Sequence, residues 1–369
     1  MKRTTFHAVI LSGGSGERFW PLSTPDRPKQ FLSVFGGKSL LRQSVDRLLG
    51  LVPPERILVV TASALVAATR RELPMLPRAN VIAEPCRRDT AAAVATACGV
   101  VERRAGEGAV AAILTADHIM GDVKAFRCVL ADAARAAADS DDIVTMGVTP
   151  DYPATGFGYI QMGEKVDTGT ATSFRRARRF VEKPDAPTAK RYLASGGYAW
   201  NAGMFVWKVS TMKAALAKGS PELASLESAV ADPRRAVAKV LSERYPGLPR
   251  ISIDYAVMEK ASNIIVSEGD FGWDDVGTWS SADRHLATDA RHNVLKGDVA
   301  VLDVADTVAI SDASGPKVAV LGVNNLVIVA TGQSVLVADK SRVQDLKKVL
   351  AVMSQEHGAK KEKKGRRGK

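Results

Sequence analysis

Short β-branched runs alternate with Ala-, Leu- and Arg-rich segments of helical length along the first 150 residues of the chain. The helical segments carry apolar residues at three- and four-residue spacing, which is typical of helices with one buried face. Alternating strands and helices predict a mostly parallel sheet covered by helices. The predicted strands are 7–12, 57–61, 80–83, 109–116 and 143–148, and the predicted helices are 39–50, 63–73, 89–104 and 122–138.

The pattern changes after about residue 150, where strands and loops of mixed polarity are separated by further helical segments. After His292, short Val-rich strands with turns lead to one helix near 341–356. We therefore predict an α/β fold, with a Rossmann-like mixed, mainly parallel sheet flanked by helices and a small C-terminal β appendage. In the middle segment, strands are predicted at 156–160, 180–184 and 202–207, and helices near 186–195, 209–217, 221–229 and 233–244.

The composition is that of an ordinary globular protein, because 46% of the residues are hydrophobic and 25% are charged. The length of 369 residues favours one large domain with a smaller appendage. The formal charge of +11 suggests nucleic acid binding, but residues 358–369 alone hold seven Lys or Arg and one Glu. Such a tail is typical of a solvated, disordered extension, so a nucleic-acid partner is expected at most for the tail.

The N-terminus and the cysteines indicate a cytoplasmic protein that does not associate with membranes. The apolar run at residues 8–11 is too short for a signal-peptide core or a membrane span, and no later stretch reaches about 18 apolar residues. Cys86, Cys98 and Cys128 are too few and too scattered for a disulfide framework. We expect all three to be reduced, with Cys98 and Cys128 packing between helices.

Gly13, Gly14 and Gly16 follow directly after the first predicted strand. Glycines in this place let the backbone approach a nucleotide and direct N–H groups at phosphate oxygens, and Arg18 and Lys29 supply cations for a triphosphate. Other residues stand where a P-loop and a dinucleotide fingerprint require glycine, so neither motif is present. Isolated glycines more often form a plain turn, but the glycines together with both cations favour phosphate binding.

This segment, G-G-S-G-E-R-F-W-P-L-S at residues 13–23, resembles the signature loop of the sugar-1-phosphate nucleotidyltransferases, and in particular their mannose-1-phosphate guanylyltransferase branch. Similar blocks follow in order between about residues 7 and 283, with weaker similarity to about 350. One block departs from the family, since residues 89–93 are D-T-A-A-A where N-T-A-P-A is frequent. The blocks are E-P at 84–85 with R-D-T-A-A at 88–92, T-A-D-H at 115–118, T-G-F-G-Y-I at 155–160, F-V-E-K-P at 180–184, W-N-A-G at 200–203, S-I-D-Y at 252–255 and G-W-D-D-V-G at 272–277.

The resemblance implies an enzyme that transfers GMP from GTP to α-D-mannose 1-phosphate by direct in-line attack, giving GDP-mannose and pyrophosphate. It implies the nucleotide-diphospho-sugar transferase type of fold, and we expect a homodimer. We also expect a single activity, because the chain ends too soon for the isomerase domain that some members carry. The predicted domains are 1–290, with a nucleotide half at about 1–150 and a sugar half at about 150–290; 291–357, a small β-rich domain ending in a helix; and 358–369, a basic disordered tail.

Asp117 and Asp275 are the candidate metal ligands. Asp117 follows a strongly apolar strand, so its carboxylate is expected at the carboxyl edge of a sheet, where ligands bind. Two carboxylates together with phosphate oxygens suit Mg²⁺, and the resemblance implies this role for both residues. The alternatives are that Asp117 and His118 cap a helix and that Asp274 and Asp275 form a turn.

Five residues are candidates for the sugar phosphate. The resemblance implies that Glu182 holds sugar hydroxyls and Lys183 the phosphate, whereas a surface ion pair is the alternative. Pro184 indicates that the strand ends there, so that neighbouring side chains need not point to opposite sides. By the same resemblance, Gly158, Asn201 and Asp254 belong to the sugar pocket, although Asn201 is also suited to a turn.

The candidate nucleotide-binding residues are completed by positions beyond the glycine loop. Glu84 is suited to accept from the N1–H and the amine of guanine, or alternatively to cap the helix that begins near Arg88. The resemblance implies that Arg18 and Lys29 are catalytic and bind the leaving pyrophosphate. The full nucleotide-binding set is Leu11, Gly13, Gly14, Gly16, Glu84, Arg88 and Thr90.

Three other functions compete with this one. The first is the same chemistry with another sugar 1-phosphate and nucleotide. The second is a catalytically silent regulatory subunit that senses a nucleotide sugar, which we expect to lack a loop cation or a metal carboxylate. The third is an RNA-binding protein, which depends on the basic tail alone.

Overall fold

The computed structural model describes residues 4–14 and 16–353, and its chain forms two compact units. The first unit comprises Met1–Gly13 and Leu41–Asp275, and the second comprises Gly14–Leu40 and Val276–Lys369. The predicted basic tail at 358–369 lies outside the described residues, and the predicted domain boundaries stay predictions.

A nine-stranded sheet is the centre of the first unit. The strands of this unit are β1 (Phe6–Ser12), β2 (Ile57–Ala62), β3 (Val81–Glu84), β4 (Val110–Thr115), β5 (Ile119–Met120), β6 (Ile143–Val148), β7 (Gly158–Val166), β8 (Ser173–Val181), β9 (Tyr198–Lys208), β10 (Ile264–Gly269) and β11 (Trp273–Asp274). The large sheet has the order β3-β2-β1-β4-β9-β6-β10-β8-β7, and β5 and β11 pair with each other.

The two halves of this sheet differ in direction. From β3 to β4 all neighbours are parallel, and Ile10 of β1 lies between Val59 and Leu114 of the flanking strands. These strands are buried, as expected for parallel strands with both faces covered. The long strand β9 runs antiparallel to β4, β6 and β7. Strand β8 likewise runs antiparallel to β7 and β10, whereas β6 and β10 are parallel. The predicted mixed α/β fold is therefore confirmed.

Helices cover the sheet at nearly all of the predicted places. Asp122 and Asp185 cap α4 and α5, because their carboxylates accept from the backbone N–H groups of Ala125 and Thr188, each at 2.9 Å. The helices are α1 (Leu40–Asp46), α2 (Val66–Glu72), α3 (Asp89–Ala105), α4 (Val123–Asp139), α5 (Ala186–Ser195), α6 (Val209–Gly219), α7 (Pro221–Ala231), α8 (Val237–Arg244) and α9 (Ile253–Ala256).

Several predicted element bounds are wrong. The helix predicted at 39–50 ends at Asp46 and continues as turns, and the one predicted at 63–73 begins with a 3-10 turn at Ser63–Leu65. The helix predicted near 233 begins only at Val237, because the chain turns at Asp232, whose carbonyl accepts from the Arg235 N–H at 3.1 Å. The spacing of apolar residues in the sequence does not predict such turns.

Helix α3 is buried on almost every side because it packs against α7. A β-carbon at Gly99 would lie 2.5 Å from the carbonyl oxygen of Glu227, so only glycine allows this close approach. Cys98 is buried there, as predicted. The same prediction for Cys128 is wrong, since that residue is exposed on the outer face of α4. All three cysteines are free.

The second unit combines the loop after the first glycines with short C-terminal strands. Its elements are α10 (Ala282–His285), β12 (Val294–Lys296), β13 (Val299–Leu302), β14 (Val308–Ser311), β15 (Val318–Leu321), β16 (Leu326–Ala330) and β17 (Val335–Asp339), followed by a 3-10 segment at Lys340–Asp345 and helical residues 346–353. Strands β12, β14 and β16 pair in parallel, with Val294, Val308 and Val327 in register, and β17 pairs antiparallel with β16. The rings of Phe19, Phe35 and Trp279 pack together beside them.

The predicted C-terminal β appendage is therefore present. The helix predicted near 341–356 begins with a 3-10 segment, and its last three residues lie outside the described part of the chain. Among the described residues, none of the helices combines the length and apolar character that a membrane span requires.

Candidate active site

The glycine-rich loop leaves β1 after Ser12 and brings Gly16 against Lys29. Gly16 has a φ of 59°, and a β-carbon there would lie 2.2 Å from the β-carbon of Lys29. The Ser23 hydroxyl donates to the Gly16 carbonyl oxygen at 2.6 Å. Lys29 is only 6% exposed, and its ammonium lies 5.8 Å from the Phe19 ring centroid. Arg18, in the 3-10 turn Glu17–Phe19, is half-buried.

Asp117 and Asp275 of the first unit form a separate group of candidate residues, which we call the carboxylate corner. Strand β11 pairs antiparallel with β5, with Trp273 opposite Met120 and Asp274 opposite Ile119. Asp275 directly follows β11 and Asp117 precedes β5 by two residues, so both residues lie at the same end of the paired strands.

His118 supports the corner. Its Nδ1 accepts from the indole N–H of Trp273 at 2.9 Å, and its Nε2 lies 3.9 Å from the Asp117 carboxylate. The helix-cap alternative for Asp117 is excluded because Asp122 caps the next helix. The turn alternative is excluded for Asp274, which lies within β11.

Arg47 is a member of this region that the sequence did not reveal. Its guanidinium is buried and donates to the carbonyl oxygens of His118 at 2.7 Å and Gln43 at 3.1 Å. Ser44 donates to the Thr115 carbonyl at 3.2 Å, so the chain is held on both sides of Asp117. Burial lowers the pKa of Arg47 to about 10, and the charge of Asp117 opposes this shift. Arg47 therefore stays cationic and supplies a fixed positive charge beside the corner.

Four of the predicted sugar-pocket residues converge on one place. In the β7–β9 pair Gly158 lies opposite Asn201, and the Asn201 amide donates to the Asp254 carboxylate at 3.2 Å. A β-carbon at Gly158 would lie 2.9 Å from Glu182 Oε2 and 3.4 Å from the β-carbon of Asn201. A side chain at position 158 would therefore displace the Glu182 carboxylate from this position. We call Gly158, Glu182, Asn201 and Asp254 the polar pocket.

The fifth predicted residue, Lys183, forms an ion pair with Glu182. Strand β8 ends at Val181, and Lys183 has a φ of 43°, so the strand does end where Pro184 predicted. Both side chains are partly exposed, which means that the ion pair itself contributes little to stability. Burial raises the pKa of Asp254, the Asn201 amide lowers it, and the negative charge of Glu182 raises it again.

An aromatic cluster links the polar pocket to the carboxylate corner. Trp200, the neighbour of Asn201, packs on Tyr152 and Phe157 with ring centroids 4.8 and 5.1 Å apart. Phe157 in turn lies 5.0 Å from Trp273, which bonds His118. These ring contacts form an apolar surface between the polar pocket and the carboxylate corner.

The predicted base-binding residue Glu84 ends β3. Its carboxylate accepts from the Tyr245 hydroxyl, while burial raises the pKa of Glu84. The described residues provide no side-chain cap for α3, which excludes that alternative for Glu84. Arg88 donates to the carbonyl oxygen of Pro246, next to Tyr245. Tyr245 was missed because it lies in the helical segment after α8, where an aromatic residue is usually core.

Of the remaining predicted nucleotide residues, Leu11, Gly13 and Thr90 belong to the first unit and Gly14 begins the second. Leu11 is half-buried on β1, between Val60 and Thr115. The Thr90 hydroxyl accepts from the backbone N–H of Ile253 at 2.9 Å, which ties the start of α3 to α9. Gly13 and Gly14 are exposed just after β1.

Comparison with known proteins identifies the family of the chain. The family described as Nucleotidyl transferase matches residues 7–290. The chain is similar to a mannose-1-phosphate guanylyltransferase from Escherichia coli, with 40% identity over 94% of this chain and 74% of the relative. It is also similar to the xanthan biosynthesis protein XanB of Xanthomonas campestris, with 38% identity over 93% of this chain and 72% of the relative.

Among solved structures, it is similar to one from Thermus thermophilus that is described as a mannose-1-phosphate geranyltransferase. The TM-score is 0.84 at 35% identity, over 95% of this chain and 100% of the other. Nucleotidyltransferases of this family generally use a divalent metal. The chain therefore belongs to the nucleotidyl transferase family and is an enzyme of its mannose-1-phosphate guanylyltransferase branch.

Proposed function

We propose that the protein transfers GMP from GTP to α-D-mannose 1-phosphate, with pyrophosphate as the leaving group and GDP-mannose as the product. The observation that supports the proposal is the β5–β11 pairing, because Asp117 and Asp275, from distant parts of the sequence, lie at the same end of that pair. The names of the similar proteins support the choice of mannose 1-phosphate and of a guanine nucleotide.

The donor set at the carboxylate corner suits Mg²⁺. Carboxylate oxygens are the ligands that this ion prefers, and it takes its remaining ligands from water and substrate phosphates. Asp117 and Asp275 would hold the ion, which when bound would neutralise negative charge on the triphosphate. Arg47 limits the charge repulsion between the two carboxylates.

The other residues act by binding and orientation. The polar pocket accepts from the sugar hydroxyls through Glu182 and Asp254, and Lys183 binds the sugar phosphate. Arg18 and Lys29 bind the departing pyrophosphate, and the glycine loop supplies backbone N–H groups. The attacking phosphate oxygen is already an anion, so positioning and charge neutralisation suffice without a general base.

The test is an activity panel. Purified protein with Mg²⁺ is given each of four nucleoside triphosphates together with mannose, glucose or galactose 1-phosphate, and pyrophosphate release is followed. We expect turnover with GTP and mannose 1-phosphate at the highest kcat/KM. Preference for another pair would replace the substrates but keep the reaction, and absence of turnover with every pair would favour the regulatory subunit.

Two further assignments belong to the same proposal, namely a homodimer and a cytoplasmic location. Sedimentation equilibrium of the full chain tests the first, and cell fractionation with an antibody against the protein tests the second.

A further inference from the structure

Glu84 lies between Tyr245 and Gly13, two residues of the first unit that are far apart in the sequence. One of its carboxylate oxygens, Oε1, accepts from the Tyr245 hydroxyl. The other, Oε2, would lie 3.4 Å from a β-carbon added to Gly13. Thus Tyr245 occupies one oxygen, and the other faces the backbone where the glycine-rich loop begins.

Tyr245 is itself held firmly. It has 0% exposure and opens the 3-10 turn Tyr245–Gly247, whose Pro246 carbonyl accepts from the Arg88 guanidinium. A buried hydroxyl has no water to bond, so its hydrogen bond to Glu84 fixes both groups. Cys86 and Arg88 are the other ionisable groups close to this hydroxyl.

We propose that Tyr245 sets the selectivity for guanine by holding the Glu84 carboxylate in one orientation, with Oε2 aimed at the N1–H and the amine of the base. This inference rests on the proposed function, since it takes a guanine nucleotide as the substrate. Guanine presents two adjacent donors, hypoxanthine lacks the amine, and adenine has an acceptor at N1. A carboxylate with a fixed direction distinguishes these edges, whereas one that is free to rotate adapts to each.

The first experiment uses Tyr245→Phe, which removes only the hydroxyl. The kcat/KM values for GTP, ITP and ATP are measured with mannose 1-phosphate. The wild type is expected to prefer GTP to ITP, because ITP leaves the carboxylate short of one donor. In the variant, kcat/KM for GTP should fall about tenfold and the preference for GTP over ITP should shrink accordingly. The loss should lie in KM, because the base is remote from the reacting phosphorus.

A pH profile separates orientation from a merely structural role. Burial raises the pKa of Glu84, and the hydrogen bond from Tyr245 opposes that shift. Without the hydroxyl the pKa of Glu84 rises further, so a larger fraction of the carboxyl is protonated at a given pH, and the protonated form is a poorer acceptor for the two donors of guanine. The kcat/KM of Tyr245→Phe for GTP should therefore climb with pH more steeply than that of the wild type.

Tyr159→Phe is the matched control. Tyr159 is also fully buried, but its hydroxyl has no hydrogen-bond partner among the described residues. It should keep the wild-type nucleotide preference and pH profile. Glu84→Gln is a second variant, because a single acceptor oxygen must then serve both Tyr245 and the base, and it should also lose preference for GTP over ITP.

The outcomes are distinguishable. A wild type that does not prefer GTP would overturn both the proposed function and this inference. A GTP-selective wild type whose Tyr245→Phe variant keeps the same GTP-to-ITP ratio and pH profile would overturn the inference alone. If Tyr245→Phe does not fold, an unchanged ratio in Glu84→Gln would also refute it.

Discussion

At the residue level, the carboxylate corner places two negative charges beside one buried guanidinium. The pairing of β5 and β11 brings the two residues to the same end of the paired strands, and Ser44 and Arg47 hold the backbone at Thr115 and His118. Because like charges that lie close together repel each other, the proposed function assigns a bound cation to this corner.

Replacing either aspartate by asparagine tests whether the two carboxylates bind a cation. Asp117→Asn and Asp275→Asn should each lower kcat by at least about 100-fold, because a preorganised electrostatic interaction is lost. The KM for mannose 1-phosphate and the thermal midpoint should change little. Steady-state kinetics and thermal unfolding check both, with the exposed Asp139→Asn as control. Activity close to that of the wild type in Asp275→Asn would contradict the assignment.

Gly16 matters through its backbone conformation and through its close approach to Lys29. An alanine there would have to adopt a φ of 59° and place its β-carbon 2.2 Å from that of Lys29. We expect Gly16→Ala to destabilise the protein by about 1–3 kcal/mol and to lower activity through displacement of Lys29. At Gly14 a β-carbon meets nothing within 4 Å, so Gly14→Ala should leave the free energy of unfolding almost unchanged. Equal unfolding midpoints in urea for the two variants would refute this argument.

At the element level, the strands and helices that could be predicted are those with a clear apolar period. The strands β1, β4 and β6 and the helices α3 and α4 follow the sequence pattern to within one residue. The bounds of α1 and α8 could not be predicted, because turn hydrogen bonds rather than periodicity end or delay those helices. The antiparallel placement of β9 depends on long-range pairing that no local pattern encodes.

The same distinction between local sequence patterns and long-range contacts applies to the site residues. Glycines and carboxylates were recognisable because their block spacing resembles a family, and the polar pocket was assembled from four such blocks. Arg47 and Tyr245 could not be found, because each acts through one hydrogen-bonded neighbour that is remote in sequence. A buried arginine and a buried tyrosine have no local signal that separates them from ordinary core residues.

A cluster of ionisable side chains is buried where α3, α6 and α7 pack together, and it predicts a pH dependence of stability. Glu227 is 1% exposed and shares a hydrogen bond with Glu102, which pairs with Lys213 at 2.8 Å. Glu107, which bonds Lys213 at 2.5 Å, and Cys98 are the other ionisable groups there. Burial and the neighbouring Glu102 raise the pKa of Glu227 to about 8.

Because the folded protein holds this proton more tightly than the unfolded chain, the contribution of Glu227 to stability is largest in acid and is lost as the pH rises through about 8. Glu227→Gln mimics the protonated form, so it should be more stable than the wild type by about 2–4 kcal/mol above pH 8 and nearly equal near pH 5. Urea unfolding across this range is the measurement, with the exposed Glu222→Gln of the same helix as control. A difference that does not depend on pH would contradict the shared proton.

For the whole molecule, net charge is concentrated at the C-terminal end of the sequence. Deleting residues 358–369 removes a net charge of +6, more than half of the formal +11. Because binding to a polyanion depends on such charges, the truncated protein should lose salt-sensitive retention on RNA or heparin. Its kcat and its KM for GTP should stay within about twofold of the full chain, because the proposed ligands lie elsewhere in the sequence. A severalfold loss of kcat at equal ionic strength would show that the tail serves the reaction.

The pairing of β5 with β11 also orders events during synthesis. Trp273 and His118, which bond each other in the finished protein, are 155 residues apart along the chain. At translation rates of about 5–20 residues per second, the first carboxylate leaves the ribosome roughly 8–30 s before the second. During that interval the nascent polypeptide holds only one of the two proposed metal ligands. Under the proposed assignment, the protein therefore becomes able to bind the ion only late in biogenesis, when almost the whole first unit has emerged.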